Sequence, residues 1–306
     1  MSNKKSSICR KYIISIIEIL ACVLLVGCVN QNPEQTMEVT KSTEGQPRVV
    51  ATSVSVVEIF DRLEIDLIGV CDSELSTLPE RYNNVTRVGL AMNPDIEVIA
   101  SLKPDWIFSP SSLQSDLEPK YKNLNTEWGF LNLRSVDSMY ASVKELGELF
   151  DREEQVMRMI EEYQEFYQEF KKKNENKKKP KVLVLMGLPG SYIIATENSY
   201  IGSLVDLAGG DNVYAGTKQE FLTVNTEDMK TKEPDIILRA AHALPENVVK
   251  MFDKEFQTND IWKHFHAVQE GYVYDLSYEL FGMSATFEYP NALEELQGYL
   301  YPNTEQ

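Results

Sequence analysis

Few side chains in this sequence have reactive or ligating potential. His242, His264 and His266 are the only imidazoles in its 306 residues. No Cys/His cluster has zinc spacing, no glycine-rich loop has the phosphate-cradling pattern, and no His-x-x-x-His or Glu-x-x-His pair occurs. The turn Gly187-Leu188-Pro189-Gly190-Ser191 is not a nucleophile elbow, because no Ser stands between glycines in the required pattern. No set of nucleophile, base and acid can be assembled, so the chain reads as a binding protein and not as an enzyme. His264 and His266, two apart in Trp262-Lys263-His264-Phe265-His266, are expected at a surface or an edge. His242 follows the apolar run Ile236-Ile237-Leu238 and so falls where a strand ends, the edge at which open α/β sheets hold ligands. Met92, between Gly89 and a helix-starting Asn93-Pro94-Asp95, is expected on a loop, although an isolated Met is ordinarily a packing residue. Held in one cleft, a soft thioether and an imidazole are a poor set for zinc or calcium and a good axial pair for haem iron.

The elements that would position such a pair are organised around a charged run from Asp151 to about Lys173. Its apolar residues Val156, Met159, Ile160, Tyr163, Phe166, Tyr167 and Phe170 recur three or four apart, which predicts one amphipathic rod, roughly 35 Å long at ~1.5 Å per residue. Lysines at its end suit the helix dipole, and Pro180 stops it. Before the rod stands Ile96-Glu97-Val98-Ile99-Ala100-Ser101-Leu102-Lys103-Pro104-Asp105-Trp106-Ile107-Phe108, and after it Thr226-Glu227-Asp228-Met229-Lys230-Thr231-Lys232-Glu233-Pro234-Asp235-Ile236-Ile237-Leu238. Both are short helical patterns that end at Pro-Asp and run into a buried strand, with Glu97 and Glu227 in equivalent places. The fold class is therefore α/β: two α/β lobes with mainly parallel central sheets, residues 48–150 and 180–302, joined by one long helix within 151–179, with a ligand cleft between them. Thr52-Ser53-Val54-Ser55 enters the first helix with capping residues, and the exposed amides of such a start attract anions.

Residues 1–27 predict a lipoprotein leader. Lys4, Lys5, Arg10 and Lys11 form the basic region, Tyr12 to Val26 the apolar region, and Leu25-Val26-Gly27-Cys28 resembles a lipobox, with cleavage before Cys28 and lipid on its sulfur. Glu18 is an atypical residue within it. Residues 28–47, poor in bulky apolar side chains, are expected to be a flexible tether. The leader's four basic groups against one acid take the net charge from −17 to −20 on cleavage. Such a charge excludes nucleic acid and anionic lipid as electrostatic partners. With Cys9 and Cys22 in the leader and Cys28 capped, Cys71 stands alone, no internal disulfide is available, and its expected role is a small core residue.

From Arg48-Val49-Val50-Ala51-Thr52 to about Pro302 the chain resembles the class III solute-binding lipoproteins of ABC importers, and among them the haem-binding lipoproteins of the iron-regulated surface determinant system. The most specific segments are Val88-Gly89-Leu90-Ala91-Met92-Asn93-Pro94-Asp95 and Pro234-Asp235-Ile236-Ile237-Leu238-Arg239-Ala240-Ala241-His242. The resemblance implies a monomer on the outer face of the cell membrane. It would receive haem (iron protoporphyrin IX) from upstream surface proteins, hold the iron between Met92 and His242, and deliver it to an ABC permease and its ATPase. It implies that the propionates meet backbone amides of Thr52, Ser53 and Val54 and those around Ser73 and Leu75, and that Glu97 and Glu227 dock on permease arginines. Tyr192, Tyr278 and Tyr289 are alternative phenolate ligands. A siderophore or corrinoid carrier of the same fold is the alternative cargo reading, and a haem-modifying or hydrolytic lipoprotein is the alternative from another class.

Overall fold

The computed structural model describes residues 46–73 and 76–302. The expected leader, Cys28 and nearly all of the tether lie outside the described residues. No helix among the described residues is long and apolar enough to cross a membrane.

The first half alternates strand and helix: β1 (Val49–Ala51), α1 (Val54–Arg62), β2 (Leu67–Val70), β3 (Thr86–Arg87), a small hairpin of β4 (Gly89–Leu90) and β5 (Asn93–Pro94), α2 (Ile96–Leu102), β6 (Trp106–Pro110), α3 (Gln114–Tyr121), β7 (Glu127–Leu131) and α4 (Val136–Phe150). Its sheet has the order β3-β2-β1-β6-β7 and is parallel throughout. After α5 (Glu153–Asn174) come β8 (Lys181–Leu188), β9 (Ser191–Ala195), α6 (Tyr200–Leu207), β10 (Asp211–Asn212), β11 (Phe221–Leu222), α7 (Thr226–Thr231), β12 (Ile236–Ala241), α8 (Pro245–Thr258), α9 (His266–Gln269), β13 (Val273–Asp275) and α10 (Tyr289–Leu300). The second sheet runs β11-β9-β8-β12-β13, with β10 also on β8. It is parallel except at its β8-β9-β11 side. That antiparallel side is absent from the periodicity reading, which took residues 187–191 only as a turn. Only Pro189 and Gly190 are the turn, in a hairpin whose second strand, Ser191–Ala195, is too short and mixed to announce itself.

Both sheets are buried on both faces, as parallel sheets must be when helices cover them. Val49 and Ala51 point to one side and Val50 to the other; Val182, Val184 and Met186 alternate with Leu183 and Leu185 in the same way. The inward faces of both sheets belong to one continuous apolar cluster, which includes Phe60, Phe108 and Phe150 of the first half, Met159 and Phe170 of α5, and Leu204 and Leu293 of the second half.

The rod is α5, and it begins after Asp151, whose left-handed φ of 54° breaks it from α4. At Gly147 a β-carbon would stand 2.4 Å from Val156 Cγ2, so α4 and α5 cross at a distance only glycine allows. Further along, Tyr163 of α5 stacks on Tyr140 of α4 at 4.8 Å and meets Tyr289 of α10 edge-on at 5.5 Å, bridging the halves with aromatic contacts. Ala285 N–H donates to Leu133 O at 2.7 Å, and Arg134 pairs with Glu220 at 2.8 Å.

Candidate functional site

Met92 occupies the tip of the β4-β5 hairpin. Leu90 pairs with Asn93, leaving Ala91 and Met92 as a two-residue turn. Gly89 opens the hairpin at φ 88°, and a β-carbon there would lie 3.1 Å from Asp95 N, so the position requires glycine. Asp95 closes the hairpin by donating its N–H to Val88 O at 2.7 Å, and it caps α2 by accepting from the N–H groups of Glu97 and Val98. The expected loop is therefore a fixed two-residue turn. Met92 is 69% exposed and Leu90 beside it 53%, which places the thioether outside any core.

His242 follows β12 directly, at the C-terminal edge of the second sheet. Its N–H donates to Gly187 O at 2.9 Å, continuing the β12-β8 ladder by one step. Gly187 is itself pressed under α8: a β-carbon there would stand 2.2 Å from Val248 Cγ1 and 2.7 Å from Phe252. Burial holds the His242 imidazole below its ordinary pKa, so near neutrality it is uncharged, the state in which a ring nitrogen can ligate a metal. Leu244, two residues on, has a left-handed φ of 47° and is 57% exposed. Leu90, Met92 and Leu244, three of the exposed large apolar side chains, thus stand at or beside the two candidate ligands. Such exposure of apolar groups is expected of a ligand surface.

The amide groups at α1 are placed differently from expectation in one respect. Thr52 is fully buried, its N–H donates to Phe108 O at 3.0 Å, and its hydroxyl bonds Ser109 Oγ at 2.7 Å, so the sheet has already used that amide. Ser53 is the N-cap, accepting from Val56 N–H. The first-turn amides of Val54 and Ser55 have no intrahelical acceptor, which moves the anion-attracting end one residue along the chain. Near the second expected group, Ser76 N–H donates to Ser73 Oγ at 2.9 Å; Leu75 lies outside the described residues.

Two of the three tyrosines are hydrogen-bonded elsewhere. Tyr192 donates to Glu255 at 3.0 Å within a cluster that includes Trp262, and burial pushes its phenol up. Tyr289 is buried, its hydroxyl 3.2 Å from that of Tyr140, and Tyr278 is also pushed up by burial. Protonated phenols are poor phenolate donors. His264 and His266 line a hollow of about 500 Å³ with Lys178 and Lys230, near the start of β8, at the opposite end of the sheet from His242. Cys71 is buried, with its thiol pushed up to about 12 by burial, as befits a core residue.

Glu97 and Glu227 are exposed second residues of α2 and α7, each two positions after a capping side chain, Asp95 or Asn225. A left-handed residue stands between each helix and its Pro-Asp: Lys103 directly after α2, and Glu233 two residues after α7. In both, the aspartate bonds the residue that opens the neighbouring central strand. Asp105 Oδ2 accepts from Arg48 N–H at 2.7 Å and its N–H donates to Arg48 O at 2.8 Å; Asp235 does the same with Lys181, at 2.8 Å each way.

Glu58 was not visible in the sequence as a special residue. Burial, the Glu288 carboxylate across the halves and Asp61 push its carboxyl up to about 7, against the opposing pull of Arg62. Arg62 lies 4.8 Å over the Phe287 ring, so this face of α1 meets the segment entering α10.

Residues 49–280 match the family model described as periplasmic binding protein. The high-affinity heme uptake system protein IsdE of Staphylococcus aureus (strain Newman) is 39% identical over 284 residues, 92% of this chain and 95% of that protein. A crystal structure of S. aureus IsdE complexed with heme superposes with a TM-score of 0.79 at 40% identity, covering 84% of this chain and all of that one. An ABC transporter substrate-binding protein from Listeria monocytogenes EGD-e superposes with a TM-score of 0.81 at 47% identity, with the same coverage. With two sheets, a bridging helix and a match reaching across both halves, the chain belongs to the periplasmic binding protein family.

Proposed function

We propose that this chain is the haem-binding component of an ABC importer. It captures haem between its two halves and passes it unchanged to the permease. The observation that carries this reading is a thioether and a neutral imidazole at the C-terminal edges of two separate sheets, in a chain 40% identical to IsdE complexed with heme. Met92 and His242 supply the axial ligands, one from each half, and the exposed Leu90 and Leu244 lie against the porphyrin. The propionates accept from the first-turn amides of α1, which concentrate positive potential without a basic surface in a chain of net charge −17. Residues 48–150 and 180–302 act as the two lobes, and the aromatic bridge through α5 restricts them to small relative motions. Cys28 carries the lipid anchor at the outer face of the membrane, the chain acts as a monomer, and upstream surface proteins are the haem donors. Glu97 and Glu227 engage permease arginines.

The test is an absorption titration of residues 29–306 with haemin, in parallel with Met92→Ala and His242→Ala. The reading expects a saturable Soret band at one equivalent, low-spin in the wild type and altered in each variant. A spectrum without saturation, or one indifferent to both substitutions, would retain the fold and move the cargo to a siderophore or corrinoid.

A further inference from the structure

The strand that runs into the Met92 hairpin carries a cation with little to hold it. Arg87 ends β3, paired with Val70, and the chain passes from it through Val88 directly into Gly89 and the hairpin. The Arg87 side chain is exposed and makes one hydrogen bond, from Nη1 to Cys71 O at 3.3 Å. A guanidinium has five N–H donors, so most of its capacity is open. Among the described residues six of the other seven arginines are engaged more fully. Arg81, Arg134, Arg158 and Arg239 pair with carboxylates, Arg48 and Arg152 each donate to two carbonyls, and Arg62 lies over Phe287.

Arg87 faces a hollow of about 820 Å³ whose lining includes Ser73, Ser76, Thr77, Asn83 and Leu90. Its described lining holds one acid, Asp72. Asp72 N–H donates to Gly89 O at 2.8 Å, and Val88 N–H to Val70 O at 2.9 Å, so the floor of the hollow and the base of the Met92 hairpin are one hydrogen-bonded unit. In a chain with 47 acids and 30 bases, a hollow whose described lining sets one arginine against one acid and is otherwise rich in hydroxyl and amide groups is locally receptive to an anion. A planar guanidinium binds a carboxylate through two parallel hydrogen bonds, which a backbone amide cannot do.

We propose that Arg87 is a specificity-determining residue that anchors a peripheral carboxylate of the tetrapyrrole beside Met92. This rests on the haem reading and deepens it: the chain selects porphyrins with free carboxylates over esterified porphyrins or amide-fringed corrinoids. The sequence reading assigned the propionates to backbone amides alone, because nothing local distinguishes Arg87 from a solvated surface arginine.

The experiment compares haemin with haemin dimethyl ester in titrations of wild type, Arg87→Gln and Arg87→Lys, with thermal midpoints recorded for each. Arg87→Gln is expected to weaken haemin about tenfold, as loss of a partly exposed charge-assisted pair does. The ester should be unaffected, the low-spin spectrum unchanged, and Arg87→Lys intermediate. Equal losses for both porphyrins, or no loss for haemin, overturn the role of Arg87 while leaving haem as cargo. A wild-type chain with no saturable Soret band overturns the haem reading and this assignment together.

Discussion

The helix–Pro-Asp–strand units of the two halves are built alike at one end and differently at the other. At the end bearing Glu97 and Glu227, the cap, the left-handed residue and the two hydrogen bonds from Asp105 or Asp235 repeat within 0.1 Å. At the opposite end, β1 stops at Ala51 and gives way to the N-terminus of α1, whereas β8 continues into the β8-β9 hairpin and its partner β12 ends at Ala241, just before His242. The first half therefore presents helix amides and a thioether on a hairpin, and the second presents an imidazole backed by a central strand. On the proposed reading, the repeated end would meet a partner symmetrically, and the divergent end would divide the ligand chemistry between the halves.

Reversing charge at the repeated end should have the largest consequence. Glu97→Lys with Glu227→Lys is expected to abolish haem uptake in cells while haemin titration of the purified double variant stays unchanged; loss of haem binding in that variant would sink the docking role. At the divergent end the two ligands should be unequal. His242 is half-buried and tied to Gly187, whereas Met92 is exposed on a turn. Accordingly His242→Ala should weaken haemin about a hundredfold, roughly 2.7 kcal/mol, and Met92→Ala about tenfold. Equal losses would show that the two edges contribute alike.

The seam carries a one-sided feature, since α1 with Glu58 has no counterpart after β8. With the folded carboxyl near 7 and an unfolded value near 4.5, its stabilising contribution is fully present below pH about 4.5 and is lost as pH rises to about 7. Thermal melts from pH 4.5 to 8 should therefore show Glu58→Gln gaining on wild type as pH rises. Its advantage should reach on the order of 2 kcal/mol above pH 7, with allowance for partial exposure, and vanish toward pH 4.5. A constant offset between the curves would remove Glu58 as the titrating group. The smallest effects should be the matched ones: Asp105→Ala and Asp235→Ala are each expected to lower stability by about 1 kcal/mol, equally, and to leave haemin affinity alone. A clear inequality in chemical denaturation would mean that the two units are alike in geometry but not in energy.

The repeated end was legible in the sequence because its signals are local: a capping residue, a Pro-Asp and an apolar run lie within a dozen residues, and the structure reproduces their pairing. The rod was legible for the same reason, through the spacing of Val156, Met159, Tyr163 and Phe170. His242 was legible as an edge residue because strand ends can be read from where apolar runs stop, and Met92 as a loop residue because Gly89 and Asn93-Pro94-Asp95 flank it. What was not legible depends on neighbours distant in sequence. The amide of Thr52 is taken by Phe108, 56 positions away. The Glu58 carboxyl is pushed up to about 7 by burial and then by the Glu288 carboxylate, which is distant in sequence. Helix α8 is not among the elements expected from the sequence, although Val248 and Phe252 have helical spacing and Pro245 opens it.

The division of ligands between the halves is tested most directly by near-infrared magnetic circular dichroism of the ferric haem complex, comparing wild type with Met92→His. The account predicts a methionine–histidine charge-transfer band in the wild type that moves to the bis-histidine position in the variant, with haem still bound at one equivalent. An identical band in both proteins would contradict it, because the iron would then take no ligand from the hairpin.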